Sequence, residues 1–240
     1  MTTVQDAALT ATTRGTDRLR PVRIWLYAVA ACVLLMVVVG GITRLTESGL
    51  SITSWKPISG TIPPLSDAAW QAEFDAYKQI PQYQVENADM TMAGFKAIFF
   101  WEYLHRLLGR LLGLIFLVPF LVFLVQRRIP RTLAWPLAGL FVLGGFQGVL
   151  GWWMVSSGLS ELTSVSQYRL AAHLTAAALL FIALIYVPRS LEPGRAPGPV
   201  TSANIWTGAF LLLLILLQIA AGAFVAGLDA GMGYNTWPLM

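Results

Sequence analysis

The chain has 240 residues, of which 56% are hydrophobic and 12% are charged. Soluble globular proteins carry about 25% charged residues, so this composition excludes an ordinary soluble domain and indicates a membrane protein. The net charge of +4 does not indicate nucleic-acid binding, since the arginines lie at the ends of apolar segments, and the single cysteine, Cys32, excludes an internal disulfide.

A polar tail, residues 1–23, precedes the first apolar segment. Residues 24–42 are apolar and long enough to cross a hydrocarbon core of about 30 Å, which predicts an uncleaved first membrane span. The longest polar stretch, residues 44–92, follows as an outer loop. Within it, residues 68–78 have the pattern of a short amphipathic helix, and Trp55 and Trp70 indicate contact with the membrane surface.

Four further apolar segments predict four further spans. The second span lies within a long helical pattern over residues 92–126, and the third, residues 133–155, is rich in glycine. The fourth and fifth spans are predicted over residues 165–187 and 205–228. Small residues let helices approach closely in lipid. The predicted fold class is therefore an all-α, polytopic transmembrane helical bundle.

The arginines predict how the bundle is oriented. The tail, the loop at 127–131 and the loop at 188–195 hold nine arginines between them, whereas the 44–92 loop holds six acidic residues. Basic residues favour the cytoplasmic side of a membrane. We therefore expect a cytoplasmic amino terminus and a 44–92 loop on the opposite side.

Two segments of the chain resemble each other and predict an internal repeat. Residues 43–55 and 225–237 align without gaps: Glu47 matches Asp229, Gly49 matches Gly231, and Trp55 matches Trp237. Because the second copy begins after four spans, the copies would be parallel repeats. We expect a four-helix half over residues 24–203 and the start of a second repeat over 204–240, as in a truncated protein of about eight spans. The alternative is a five-span protein with a coincidental similarity.

The two histidines, His105 and His173, both lie within predicted spans. Ionisable residues inside a membrane are costly and typically functional, and two imidazoles from facing helices are a common ligand set for heme iron. Arg106 and Arg169 lie close to these histidines and are suited to holding heme propionates. The alternative is that each histidine only bonds a neighbouring helix. A zinc site is disfavoured, since no further ligands lie nearby.

Two other polar residues within the spans are candidates for the same site. Glu102 lies three residues before His105 on one helix face, where a carboxylate is suited to proton transfer or to a bond with an oxidised carbon. An ion pair with Arg106 or Arg110 is an equal alternative. Gln147 in the third span is predicted either to contact a ligand edge or to bond a neighbouring helix.

Taken together, five segments resemble the heme A synthase family, in its proteobacterial and mitochondrial branch. They are GGITRLTESGLS at 40–51, EYLHR at 102–106, QGVLGWWMVSSG at 147–158, YRLAAH at 168–173 and GLDAGMGYNTWP at 227–238. The resemblance implies two four-helix halves, each with a histidine pair, which hold a heme b cofactor in one half and the substrate heme O in the other. The family oxidises a methyl group of heme O to a formyl group, giving heme A for terminal oxidases.

The resemblance also implies roles for particular residues. His105 and His173 match the iron-ligating pair of the amino-terminal half, usually the substrate half, and Glu102 matches a functionally important glutamate. Heme b would then belong to a second half beyond this sequence. Expected partners are heme O, heme O synthase, an electron donor and the lipid bilayer, with no nucleic acid; a homo-oligomer is left open.

The resemblance places the chain in the inner membrane of a bacterium, with the mitochondrial inner membrane as the alternative. Two functional alternatives also remain. A b-type cytochrome subunit that only transfers electrons needs the histidine pair but not Glu102. A heme-free transporter or assembly factor needs neither.

Overall fold

The computed structural model describes residues 17–193, 201–233 and 236. All regular structure in these described residues is helical, which confirms the predicted fold class. Five helices are long and apolar enough to cross a membrane. They are α1 (Arg20–Leu45), α4 (Met92–Val125), α5 (Arg131–Ser156), α6 (Gln167–Ser190) and α7 (Ser202–Gly227). Shorter helices are α2 (Asp67–Tyr77), α3 (Pro81–Glu86) and α8 (Ala230–Gly233), with a 3-10 turn at Ser59–Thr61.

Two of the five long helices, α4 and α7, begin at a threonine whose side chain caps the first turn. Thr91 accepts a hydrogen bond from the Gly94 backbone N–H at the start of α4, and Thr201 caps α7 through Asn204 in the same way. The five long helices therefore start at or near the predicted spans and mostly extend a few residues beyond them. The amphipathic helix predicted over 68–78 is confirmed as α2, which Ser66 caps through Ala69.

Four of the long helices form a closed bundle. Helix α1 packs against α4 and α6, and α5 packs against the same two helices, so that the four enclose a common interior. Helix α7 packs on the outside of α6. We call the end that carries the 46–91 segment the outer end, and the opposite end the inner end.

The apolar core of the bundle is divided in two. At the inner end, aliphatic and aromatic side chains from α1, α4, α5 and α6 form one buried cluster that includes Leu26, Phe116, Leu137 and Leu184. At the outer end, the 46–91 segment packs on α4 and α5 through a second cluster that we call the outer cap. Its buried members are Leu50, Ile52, Phe74, Tyr77, Ile80, Phe95, Phe99, Val155 and Val165.

The helices α1 and α7 precede the two segments that resemble each other in sequence, and the repeat stays a prediction. Both helices have 26 residues. The start of α7 follows the start of α1 by as many positions as Asp229 follows Glu47, and the same holds for the ends of the two helices. Just beyond each helix, Glu47 and Asp229 adopt the left-handed conformation, with φ of 52° and 51°. The Arg44 Nη2 atom joins the two copies, since it donates to Asp229 Oδ1 at 2.6 Å and to the Ala226 carbonyl at 2.7 Å. The predicted match of Trp55 with Trp237 cannot be compared, because Trp237 lies outside the described residues. Most of the 1–23 tail also lies outside them.

Candidate functional site

His105 lies on the inward side of α4, against a glycine of α1. A Cβ atom added to Gly40 would stand 3.0 Å from His105 Cε1, so only glycine lets the ring lie this close to the helix backbone. The His105 Nδ1 atom is buried and has no hydrogen-bond partner among the described residues. Buried polar atoms are nearly always bonded, so this nitrogen is suited to a ligand that the protein itself does not supply.

His173 occupies a matching position on α6. A Cβ atom added to Gly151 of α5 would stand 3.4 Å from His173 Cε1, and the His173 Nδ1 atom is likewise buried without a partner in the described structure. The two imidazoles project from α4 and α6, the two helices that α1 and α5 both contact, and each ring lies against one of those neighbouring helices, facing the common interior of the bundle. They therefore belong to one site, and each is seated on a glycine of a neighbouring helix.

Gln147 lies one turn before Gly151 on α5 and is also unsatisfied. Both its amide nitrogen and its amide oxygen are buried without a hydrogen-bond partner in the structure as described. The predicted hydrogen bond to a neighbouring helix is therefore absent for this residue. We call the region that holds His105, His173 and Gln147 the histidine layer.

The histidine layer lies between the inner cluster and the outer cap. Counted from the inner ends of their helices, His105 is about 30 Å from Val125 and His173 about 25 Å from Ser190 at helical rise. With a hydrocarbon core of about 30 Å, both imidazoles stand near its outer boundary. Two imidazoles on α4 and α6, each with a buried unbonded nitrogen and each against a glycine, are a residue set that would suit an iron porphyrin.

Glu102, one turn from His105, has a very different environment. Its side chain is buried, and both carboxylate oxygens accept two hydrogen bonds. Oε1 accepts from Nε and Nη2 of Arg106 at 3.0 and 2.6 Å, and Oε2 accepts from Ser51 Oγ and the Ile52 backbone N–H at 2.7 Å each. The ion pair with Arg106 that the sequence left as an alternative is therefore present. The catalytic role of Glu102 stays a prediction.

The Arg106 guanidinium extends this arrangement to the outer cap. Besides Glu102, it donates from Nη1 to the Ser54 carbonyl at 3.0 Å and from Nη2 to the Ile52 carbonyl at 2.9 Å. We call Glu102, Arg106 and the 51–54 segment the brace. The predicted propionate contact of Arg106 would require part of the brace to open, because most of its N–H groups are already used.

Arg169 keeps more of its hydrogen-bonding capacity. Its Nη1 atom donates to the Trp153 carbonyl at 2.7 Å and to Ser156 Oγ at 3.1 Å, and its guanidinium lies 4.9 Å from the centroid of the Trp153 ring. Its Nε and Nη2 atoms have no hydrogen-bond partner among the described residues. Of the two predicted propionate ligands, Arg169 is the better placed to accept one.

Three features of the site were not predicted from the sequence. They are the glycine seats of the histidines, the bonds that the 51–54 segment makes to Glu102, and the position of Arg110. The Arg110 side chain donates from Nε and Nη2 to the Pro57 and Lys56 carbonyls at 2.8 Å each, while Nη1 is buried without a partner in the described chain. The only sequence signal was the spacing of Glu102, Arg106 and Arg110 along one side of a helix.

Comparison with known proteins relates the whole described bundle to one family. The profile of the COX15-CtaA family, described as cytochrome oxidase assembly protein, matches residues 23–240. The heme A synthase of Azorhizobium caulinodans is 59% identical over 221 residues, which are 92% of this chain and 63% of that protein. The heme A synthase of Parvibaculum lavamentivorans is 58% identical over 216 residues, or 90% of this chain and 62% of that protein.

A third relative, the heme A synthase of Allorhizobium ampelinum, is 54% identical over 245 residues, which cover 100% of this chain and 67% of that protein. The chain thus spans between 62% and 67% of the length of these three relatives. No solved structure matches the chain.

Proposed function

This chain belongs to the COX15-CtaA family of cytochrome oxidase assembly proteins, and on that premise we propose that its bundle binds heme O as the substrate of a heme A synthase. Such an enzyme is an oxidoreductase that converts a methyl group of the porphyrin to a formyl group. The observation that supports the proposal most directly is the pair of buried, unpartnered imidazoles of His105 and His173. The names of the relatives supply the product, heme A; heme O as the substrate follows from the family resemblance.

In this proposal the histidine layer holds the porphyrin. His105 and His173 would hold its iron, and the porphyrin would supply the redox chemistry when it is bound. Gly40 and Gly151 leave the two rings room to turn towards the iron. Gln147 offers its unsatisfied amide to an edge of the macrocycle, and Arg169 holds a propionate through a charge-assisted bond.

Glu102 is proposed as the catalytic carboxylate, since it lies on the same helix as His105 at a distance of one turn. The brace holds its charge in place through Arg106, Ser51 and Ile52. A carboxylate fixed in this way stabilises positive charge at the carbon that is being oxidised, or accepts a proton from it. Because each carboxylate oxygen of Glu102 already accepts two hydrogen bonds, the carboxylate acts on the substrate only when one of these hydrogen bonds is replaced by a contact with the substrate.

The remaining parts of the proposal concern the surroundings of the bundle. We propose a bacterial inner membrane, with the amino terminus in the cytoplasm and the outer cap on the opposite side. A resident heme b is proposed for a second four-helix half of the complete enzyme. An electron donor and heme O synthase are proposed as partners.

The test is pigment analysis of the full-length protein, purified from cells that make heme O. We expect the unaltered protein to carry heme O and its oxidised products. The heme O content of His105→Ala and of His173→Ala is expected to fall at least about tenfold, because each variant loses an iron ligand worth more than 1.4 kcal/mol of binding free energy. Gln71→Ala, a change at an exposed side chain of α2, serves as the control. Equal heme O contents in all four proteins would contradict the proposal.

Glu102→Gln separates the enzyme from an electron-transferring cytochrome. The amide keeps the shape of the side chain and removes its charge, so the enzyme is expected to retain bound heme O while formation of heme A falls by about 100-fold or more, as for removal of a general acid or base. A b-type cytochrome would keep its heme and its redox cycling and would form no heme A in the unaltered protein either.

A further inference from the structure

A cavity lies on the other side of α4 from the histidine layer. Its volume is about 250 Å³, and it is enclosed by α4, α2 and the 52–65 segment. The residues that matter for its chemistry are Lys56, Glu73, Arg106 and Arg110. Apolar side chains, including those of Ile62, Leu65 and Phe99, form most of the remaining wall.

One positive charge in this cavity has no acidic partner among the described residues. Lys56 Nζ pairs with Glu73 Oε1 at 2.7 Å, and Arg106 pairs with Glu102. Arg110 makes no ion pair with any described residue, and its buried Nη1 atom has no acceptor there. A buried guanidinium N–H without an acceptor is costly, so the cavity is suited to a single anionic group bound against Arg110 Nη1.

The backbone of Arg110 lies within the outer part of the hydrocarbon core, which is about 30 Å thick. The residue is about 22 Å from the inner end of α4 at helical rise, and its side chain extends further outwards to the carbonyls of Lys56 and Pro57. An arginine near the edge of the hydrocarbon core typically extends to the interface in this way. The charged atoms of Arg110 therefore lie near the outer membrane surface.

The rim of the cavity is strongly apolar. Ile62 and Leu65 line the cavity and are 67% and 83% exposed. Ile58, in the same loop outside the long helices, is 85% exposed. Large apolar side chains beside a positive charge are typical of segments that lie in the membrane interface. Acyl chains would cover these three residues while a headgroup reached Arg110.

This cavity is separate from the heme site proposed above. Arg110 follows His105 by five positions, which turns it about 140° around the axis of α4. The brace and the body of α4 stand between the two sites. A ligand in the cavity would therefore hold the outer cap on the bundle without contacting the histidine layer.

We propose that the cavity binds the phosphate headgroup of an anionic phospholipid from the outer leaflet. The phosphate accepts hydrogen bonds from Arg110 Nη1, and the acyl chains lie along Ile62 and Leu65. An apolar rim favours a lipid over free phosphate, and the orientation of Arg110 away from His105 favours it over a porphyrin carboxylate.

The experiment is native mass spectrometry of the purified full-length protein, titrated with phosphatidylglycerol and, separately, with phosphatidylcholine. We expect tighter binding of the first phosphatidylglycerol molecule, and about fivefold weaker binding of it in Arg110→Gln, as expected for one arginine at an anionic surface. Arg110→Lys keeps the charge and is expected to retain the preference. Lys78→Gln, which removes an outer cation that is already paired with Asp75, is the control and is expected to change little.

A second variant tests the cavity without changing Arg110. Ala69→Leu adds bulk at the α2 wall of the cavity and is expected to weaken the first phosphatidylglycerol as Arg110→Gln does, with helical content unchanged by circular dichroism. Lipid binding in both variants that equals that of Lys78→Gln would overturn the proposal. The proposal would also be overturned if inorganic phosphate, added at the concentration of the lipid, abolished the preference for phosphatidylglycerol. A third contradicting result is an Arg110→Gln protein that loses bound porphyrin but keeps its lipid binding.

Discussion

The brace and the histidine layer are neighbours on α4, yet the buried polar groups are hydrogen-bonded in the first and unbonded in the second. In the brace, each oxygen of Glu102 accepts two hydrogen bonds. In the histidine layer, His105 and His173 each leave Nδ1 unbonded, and Gln147 leaves its whole amide unbonded, as far as the described residues go. The brace is complete without a ligand, whereas the histidine layer is complete only with one.

This difference has an energetic consequence. A complete polar network contributes to the stability of the protein and fixes one arrangement of the outer cap. Unbonded polar groups lower the stability of the ligand-free protein, and a ligand that bonds them regains that free energy on binding. Substitutions in the two regions should therefore change the free energy of unfolding in opposite directions.

The largest effect is expected from breaking the brace. Glu102→Ala leaves the Arg106 charge buried without its partner, which typically costs about 3–5 kcal/mol of unfolding free energy. Unfolding in mixed micelles with increasing sodium dodecyl sulfate measures the change. The control is Glu73→Ala, which removes the more exposed ion pair with Lys56 and should cost about 0–1 kcal/mol. Equal losses in both variants would show that the brace is not a buried network.

A smaller effect is expected from ionising Tyr77, which is fully buried in the outer cap. Burial raises the pKa of Tyr77 to about 12 from an ordinary value of 10. Its hydroxyl donates to Gln82 Oε1 at 3.1 Å, and Gln82 donates to the Glu47 carbonyl. The unfolded chain loses the tyrosine proton first as pH rises, so the stability is complete below pH 10 and decreases towards pH 12.

The total loss for Tyr77 is at most about 2–3 kcal/mol, since each pKa unit corresponds to about 1.4 kcal/mol. Denaturation measured at successive pH values from 9 to 12 checks this range, and Tyr77→Phe should abolish the part of the decrease that belongs to this residue. A Tyr77→Phe protein that loses stability as steeply as the unaltered one would contradict the assignment.

A gain in stability is expected in the histidine layer. Gln147→Leu removes two unbonded polar atoms at nearly constant volume, which should raise the stability of the heme-free protein by about 1–2 kcal/mol. The same change should weaken retention of heme O, because it removes the amide proposed to contact the macrocycle. Gln71→Leu, at an exposed glutamine bonded to Asp75, should give no gain. If Gln147→Leu destabilises the heme-free protein, the Gln147 amide is hydrogen-bonded in that state, which contradicts its assignment as an unbonded group.

The sequence predicts the helices of both regions well, but not the bonds of the brace. Long apolar runs require helices in a membrane, because only helical bonding satisfies the backbone there, so α1 and α4 to α7 follow directly. The partner of Glu102 follows only in part, since Arg106 and Arg110 are both within reach along the helix. That Ser51 and Ile52 turn back to the same carboxylate depends on the fold of a polar loop, and no periodic pattern in that loop signals it.

The histidine layer was predicted through its histidines and not through its glycines. Two histidines in apolar spans are conspicuous because such residues are rare there. Glycines, by contrast, are frequent in membrane helices. The sequence does not distinguish Gly40, against which the His105 ring packs, from its neighbour Gly41. Only the packing of α1 against α4 makes that distinction.

The smallest effect therefore comes from the pair Gly40 and Gly41. Alanine is favoured over glycine within a helix by about 1 kcal/mol, and a Cβ atom on Gly41 meets nothing within 4 Å. Gly41→Ala should thus stabilise the protein by roughly that amount and leave bound heme unchanged. A Cβ atom on Gly40 would meet His105 Cε1 at 3.0 Å, so Gly40→Ala should gain little or nothing in stability and should shift the Soret absorption of bound heme by displacing one iron ligand. Identical spectra for the two variants would mean that the His105 ring moves away from α1 when the porphyrin binds, and that Gly40 is no part of the ligand-bound site.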